Sequence, residues 1–168
     1  MNATELRALQ APLKQRYRIH PEAARVTSRA ELTLDPANLM VHLGPGPRGA
    51  GLHPATGGTT QAACSADMLL EALAACSGVT LLAVAASSGV ELHGGTVIAE
   101  GHWDARGTLA VDKAVPVGMR DITVTFDLET SVDRTVLERL VKTSERYCVI
   151  LATLQVPAKV SVRLRNEL

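Results

Sequence analysis

The feature that most constrains this chain is an uncharged run of 19 residues, Ala72 to Val90. Its length is close to the roughly 20 apolar residues that cross a bilayer. Ser77, Gly78, Thr80, Ser87, Ser88 and Gly89 interrupt it, however, and no Lys or Arg stands near either end as an anchor. The run is therefore read as a buried helix, since a core helix can be apolar all round. Ser65 is the expected N-cap, Asp67 supplies negative charge to the first turn, and the helix should run from about Ala66 to Ser88. Gly89 stops it. Ala72, Ala74, Ala75, Ser77 and Gly78 are small enough for a second helix to approach closely.

Composition narrows what can cover such a helix. Apolar residues make up 46% of the chain but aromatic ones only 2%, so bulky side chains contribute little. Close approach of elements must replace them, either within the chain or across a subunit boundary. Lys plus Arg and Asp plus Glu each total 17. That balance lacks the basic stripe of a nucleic-acid binder and offers little repulsion against self-association. With 168 residues, one domain is expected. Three cysteines, Cys64, Cys76 and Cys148, are too few and too unevenly spaced for a secreted disulfide framework. Met1 to Leu6 lacks a signal-peptide pattern, so a cytoplasmic location and no membrane association are expected.

The remaining elements follow from local pattern. Thr4 starts a helix that Pro12 should interrupt, with a continuation to about Arg16. Ala24 to Leu34 alternates as a strand, Asp35 to Asn38 turns, and Leu39 to Leu43 returns, which predicts a hairpin. Gly44 to Thr60 is glycine- and proline-rich and reads as one long loop, without the Gly-Lys-Ser/Thr ending of a phosphate loop. Strands near Gly95–Trp103 and Asp121–Glu129 flank the polar turn Asp104 to Gly107. Asp133 caps a second helix with Val136, Leu137, Leu140 and Val141 on one face. That helix reaches Cys148, with a continuation through Leu151. Pro157 closes the region and Ala158 to Arg165 alternates as a last strand. Helices mixed with mainly antiparallel strands place the chain in the α+β class.

The chemistry rests on cysteines. Cys76 lies mid-helix in Leu69-Leu70-Glu71-Ala72-Leu73-Ala74-Ala75-Cys76, and Cys148 ends Glu145-Arg146-Tyr147-Cys148, followed by Thr153-Leu154. A buried cysteine often only fills space. These two segments, however, resemble the OsmC/Ohr family, the osmotically inducible and organic hydroperoxide resistance proteins. The first is similar to the family's reactive-cysteine helix and the second to its second-cysteine segment. Gly57-Gly58 and the stretch from Glu100 to Gly107 fit the same layout. The resemblance runs roughly from Leu13 to Leu164. It makes 1–168 a single OsmC-like domain, with 1–20 as an N-terminal helical appendage.

The resemblance implies an OsmC-like α+β fold in a swapped homodimer, with two long central helices enclosed by sheets and the sites at the subunit interface. It implies a thiol-dependent peroxidase in which Cys76 attacks an organic hydroperoxide and Cys148 resolves the product as a disulfide. An external dithiol would then reduce the pair, with no cofactor. Family peroxidases hold the thiolate with an arginine and a glutamate. Ten positions before Cys76 this chain has Ala66, so Asp67 is the candidate acid, and Arg48, Arg29 and Arg146 are the candidate arginines. On one straight helix Asp67 faces nearly opposite Cys76 and would need a helix break to take part.

Cys64 has no counterpart in the motif, Glu71 faces solvent or an inter-subunit pair, and Trp103 and Tyr147 read as packing residues. His20, His42, His53, His93 and His102 lack the short paired spacings of zinc sites, so no metal is expected. The alternative reading is a non-enzymatic protein on the same scaffold that binds a small apolar ligand at the dimer interface. A third is a structural dimer whose cysteines only pack.

Overall fold

A computed structural model of the chain describes residues 3–42, 49–59 and 62–164. Helix α1 covers Ala3–Ile19 and continues through Pro12 without the expected interruption. Proline's fixed φ is itself helical, so its cost is one lost backbone hydrogen bond and a local bend rather than an obligatory end. A 3-10 turn, Pro21–Ala24, follows.

Four short strands form one sheet: β1 (Thr33–Asp35), β2 (Met40–His42), β3 (Gly49–Gly51) and β4 (Ala63–Cys64), in that spatial order. β1 and β2 make the predicted antiparallel hairpin, with Leu34 opposite Val41. Asp35 holds the turn by accepting hydrogen bonds from the Asn38 backbone amide at 3.2 Å and side-chain amide at 2.8 Å. The first strand is much shorter than Ala24 to Leu34 predicted. The long loop also differs from expectation: Gly49–Gly51 pairs with β2 and β4, and Pro54–Thr56 forms a 3-10 turn. Gly58 follows that turn where a Cβ would stand 1.7 Å from the Leu52 carbonyl oxygen, so only glycine fits the backbone approach.

Helix α2 spans Ser65–Ser88, and the residue at its cap is Cys64 rather than Ser65, one position earlier than predicted. Gly89 ends it in the left-handed conformation at φ 69°, its amide donating to the Ala85 and Ala86 carbonyls. Strands β5 (Gly94–His102) and β6 (Arg120–Glu129) pair antiparallel, from Gly94 opposite Glu129 to His102 opposite Arg120, with an irregularity between Glu100 and His102. Between them Asp104 caps the four-residue helix α3, Ala105–Thr108.

Helix α4 runs Arg134–Tyr147, with the Asp133 carbonyl accepting from the Val136 and Leu137 amides. The expected face is correct: Leu140 is buried, and Val136, Leu137 and Val141 are half-buried. The chain then bends at Cys148 and restarts as α5, Val149–Gln155. Leu81, Ala85 and Leu140 form the centre of the core, where α2, α4 and the β5–β6 sheet meet. Phe126, Leu128, Leu137 and Val141 pack around them.

Among the described residues, Ser65–Ser88 is the one helix long and apolar enough to cross a membrane, by length and composition. Only Leu73, Ser77, Leu81 and Ala85 are buried along it, so the expected buried helix is covered on one stripe and not all round. The C-terminal expectation also changes. Ala158 to Leu164 is not a strand, and Val160, Val162 and Leu164 stand exposed. Alternation gives a segment the pattern of a strand, but a ladder exists only where a second strand supplies the other half of its hydrogen bonds.

Candidate active site

Two elements distant in sequence build the site. The middle of α2 presents Cys76 and Ser77, and the junction between α4 and α5 presents Cys148 against them. At that junction Cys148 is extended (φ −76°, ψ 110°) and serves as the end of one helix and the cap of the next. Its amide donates to the Ser144 carbonyl at 3.0 Å, and its carbonyl accepts from the Ala152 amide at 3.0 Å. The bend leaves the first amides of α5 without carbonyl partners in their own helix. They turn toward α2.

Cys148 is 1% exposed, whereas Cys76 is half-buried. Neither is in a disulfide in this structure. The two thiols are within hydrogen-bonding reach of each other. The Ser77 hydroxyl, also buried, lies 3.5 Å from the Cys148 sulfur. Partial burial pushes the Cys76 thiol up. The opposing effects are stronger: hydrogen bonds from the Ile150 amide, the Cys148 thiol, the Val149 amide and the Thr80 hydroxyl hold it below the ordinary value of 9.0. Thr80 and Cys76 are four apart and share a face of α2. Among the described residues, a thiolate at Cys76 is thus favoured by hydrogen-bond donors rather than by a cation.

A cavity of about 160 Å³ adjoins Cys148. Strand β6 gives it an apolar wall through Val124 and Phe126, helix α5 adds Leu151, and Ser77 and Ser144 supply hydroxyls.

The OsmC-like protein family model matches residues 57–163, which takes in both cysteine segments and every element that positions them. The chain belongs to the OsmC-like family. Solved OsmC-like structures share its fold. An OsmC-like protein of Mycoplasma pneumoniae superposes with a TM-score of 0.62 at 15% identity, over 79% of this chain and 91% of that one. A hypothetical protein of Aquifex aeolicus gives 0.59 at 20% identity, over 79% and 90%. A protein of Vibrio cholerae described as an organic hydroperoxide resistance protein, with captopril bound in one of its active sites, gives 0.56 at 17% identity, over 80% and 89%. No curated protein matches the chain in sequence.

Within this OsmC-like fold the other candidate residues that are described lie apart from the sulfurs. Helix α2 is unbroken, so Asp67 stands nine residues, about 13 Å of helix rise, from Cys76 and on the opposite face. Arg146 is exposed and packs its guanidinium over the Tyr147 ring at 5.7 Å. Arg29 is exposed and paired with Glu31. Arg48 lies outside the described residues. Cys64 is half-buried at the start of α2, and Trp103 meets His53 edge-on at 5.1 Å. Among the described residues no group of three or more His, Cys, Asp or Glu is arranged to hold a metal.

Sequence reasoning missed Ser77, Thr80 and the two amides. Ser77 carried a usable signal, as the polar member of the i, i+4 series Leu73, Ser77, Leu81, Ala85. Thr80 had one too, four residues after a cysteine on the same face. The amides had none, because the bend at Cys148 contains neither glycine nor proline.

Proposed function

We propose that this OsmC-like protein is a thiol-dependent peroxidase that reduces organic hydroperoxides through Cys76 and Cys148. The observation that carries this reading is the meeting of the two thiols beside the amides that open α5, with Cys76 held toward thiolate. Membership of a family that includes an organic hydroperoxide resistance protein by fold supports the substrate class.

The Cys76 thiolate attacks the distal oxygen of the hydroperoxide and the O–O bond breaks. The alkoxide takes a proton and leaves as an alcohol, and Cys76 becomes a sulfenic acid. Deprotonated Cys148 then attacks the Cys76 sulfur, forming the disulfide and expelling hydroxide, which is protonated to water. An external dithiol returns two electrons by exchange. The working unit is a cytoplasmic homodimer. A second copy would cover the exposed face of α2 and offer pairing partners to the strand-patterned segments around Val26 and Ala158–Leu164.

The test is turnover of a small organic hydroperoxide with a dithiol present. Cys76→Ser should abolish it while leaving the far-UV spectrum of the protein intact. Cys148→Ser should instead accumulate Cys76 sulfenic acid, trappable by dimedone. Retained turnover in Cys76→Ser would sink the reading.

A further inference from the structure

We propose that the cavity beside Cys148 is the docking site of the reductant, a small apolar-bodied dithiol, and that Cys148 rather than Cys76 is the sulfur it attacks. This rests on the peroxidase reading of the same cysteine pair, and adds to it where and on which atom the second substrate acts.

Two independent observations lead there. The first is geometric. Of the two sulfurs, the cavity touches Cys148, which is otherwise sealed from solvent. Its walls are β6 (Val124, Phe126) and Leu151, with Ser77 and Ser144 as hydroxyls, and exposed Glu145 at its rim. An engineered apolar cavity of about 150 Å³ takes a molecule the size of benzene. The present volume, about 160 Å³, suits one thiol and a few methylenes of a dithiol, with the rest of the molecule outside.

The second observation is chemical. In thiol–disulfide exchange the sulfur that leaves fastest is the one best able to carry negative charge. The Val149 and Ile150 amides and the Thr80 hydroxyl are all directed at Cys76. Attack on Cys148 therefore releases the sulfur that the site is built to hold as an anion. Attack on Cys76 would place the incoming thiol among those donors and release Cys148, whose sulfur has the Ser77 hydroxyl at 3.5 Å and lies beside the apolar Val124, Phe126 and Leu151.

The step balances as follows. One thiolate of the dithiol attacks the Cys148 sulfur, and the bonding pair of the disulfide goes to Cys76 as thiolate. The second thiol of the reductant, deprotonated, then attacks its own sulfur in the mixed disulfide. Cys148 leaves and takes up a proton. The reductant departs as a cyclic disulfide, having given up two electrons and two protons.

The experiment begins with the Cys76–Cys148 disulfide made by diamide, a thiol oxidant that requires no peroxidase activity. A brief pulse of 2-mercaptoethanol, acid quench, iodoacetamide blocking and peptide mass mapping then locate the mixed disulfide. The adduct is expected on Cys148, with Cys76 alkylated. An adduct on Cys76, or on both equally, would overturn the proposal. Filling the cavity with Val124→Phe should slow dithiothreitol reduction of the same disulfide by about tenfold or more, since a displaced reactant loses its alignment. An unchanged rate would also overturn it. A misfolded variant would expose the disulfide and be reduced faster, so loss of fold cannot imitate the expected result. Failure of peroxide to oxidise the pair would count against the peroxidase reading alone, because the diamide-made disulfide still reports which sulfur is attacked.

Discussion

Helices α2 and α4 pack against each other but obey opposite rules. Helix α4 buries Leu140 and Ser144, half-buries Val136, Leu137 and Val141, and turns Arg134, Glu138, Arg139 and Lys142 to solvent. Helix α2 has scarcely any polar face to turn outward. Burying Leu73, Ser77, Leu81 and Ala85 leaves Val79 at 68% and Leu82 at 59% exposure. An amphipathic helix needs cover on one side, whereas a helix apolar all round needs it on several. The described residues of one chain satisfy α4 and leave α2 incomplete, and the alternation of Val160, Val162 and Leu164, unpaired among them, is a second sign of the same incompleteness.

The sharpest way to break this comparison is to place a charge on each helix. Val79→Asp with Leu82→Asp would bury uncompensated carboxylates if a second copy covers α2. Dimer affinity, read by sedimentation equilibrium, should then fall by about a thousandfold, as expected for several kcal/mol of lost burial and added desolvation. Lys142→Glu on the outer face of α4 should leave it unchanged. A wild-type protein that sediments as a monomer would remove the basis of the comparison.

The core between the helices gives the next largest effect. Leu140 is 4% exposed and packs with Leu81 and Ala85, so Leu140→Ala should cost about 2–5 kcal/mol in urea unfolding. A loss well under that range would mean that α4 does not carry the core that its stripe describes.

How far the sequence disclosed all this depends on whether a feature is local. The α2 helix, its Gly89 stop, the face of α4 and the strands β5 and β6 were legible because period and caps act over a few residues. The segments around Val26 and Val160 were read as strands because alternation is also local. Pairing is not, and neither finds a partner among the described residues of the chain. The two cysteines were visible through their motif segments, but what surrounds them was less so. The donors to Cys76 come partly from backbone amides exposed by a bend, and an amide looks the same at every position of a sequence. The expectation of a nearby acid fixed on Asp67, which an unbroken helix carries to the far face.

Thr80 allows the smallest and most specific test, because it lies on the incomplete helix and acts on its cysteine. A helical threonine commonly turns its hydroxyl back to the carbonyl four residues earlier, as Thr143 does to Arg139 at 2.7 Å and Thr153 to Val149 at 2.8 Å. Thr80 is among the donors that hold the Cys76 thiol below its ordinary value. Thr80→Val keeps the shape and removes the donor, so the Cys76 pKa should rise toward 9.0. The sign follows from the thiolate being the reactive form. A depressed pKa keeps the thiolate populated as pH falls toward neutrality, and raising it shrinks that population there but not at alkaline pH. Iodoacetamide alkylation of Cys76 should therefore slow roughly threefold to tenfold near neutral pH, the loss of one hydrogen bond to a charged acceptor, and converge with wild type at high pH. Thr80→Ser should restore the rate by restoring the hydroxyl. Equal slowing at all pH values would mean that Thr80 shapes access to the sulfur rather than its charge, leaving the α5 amides as the main support of the thiolate.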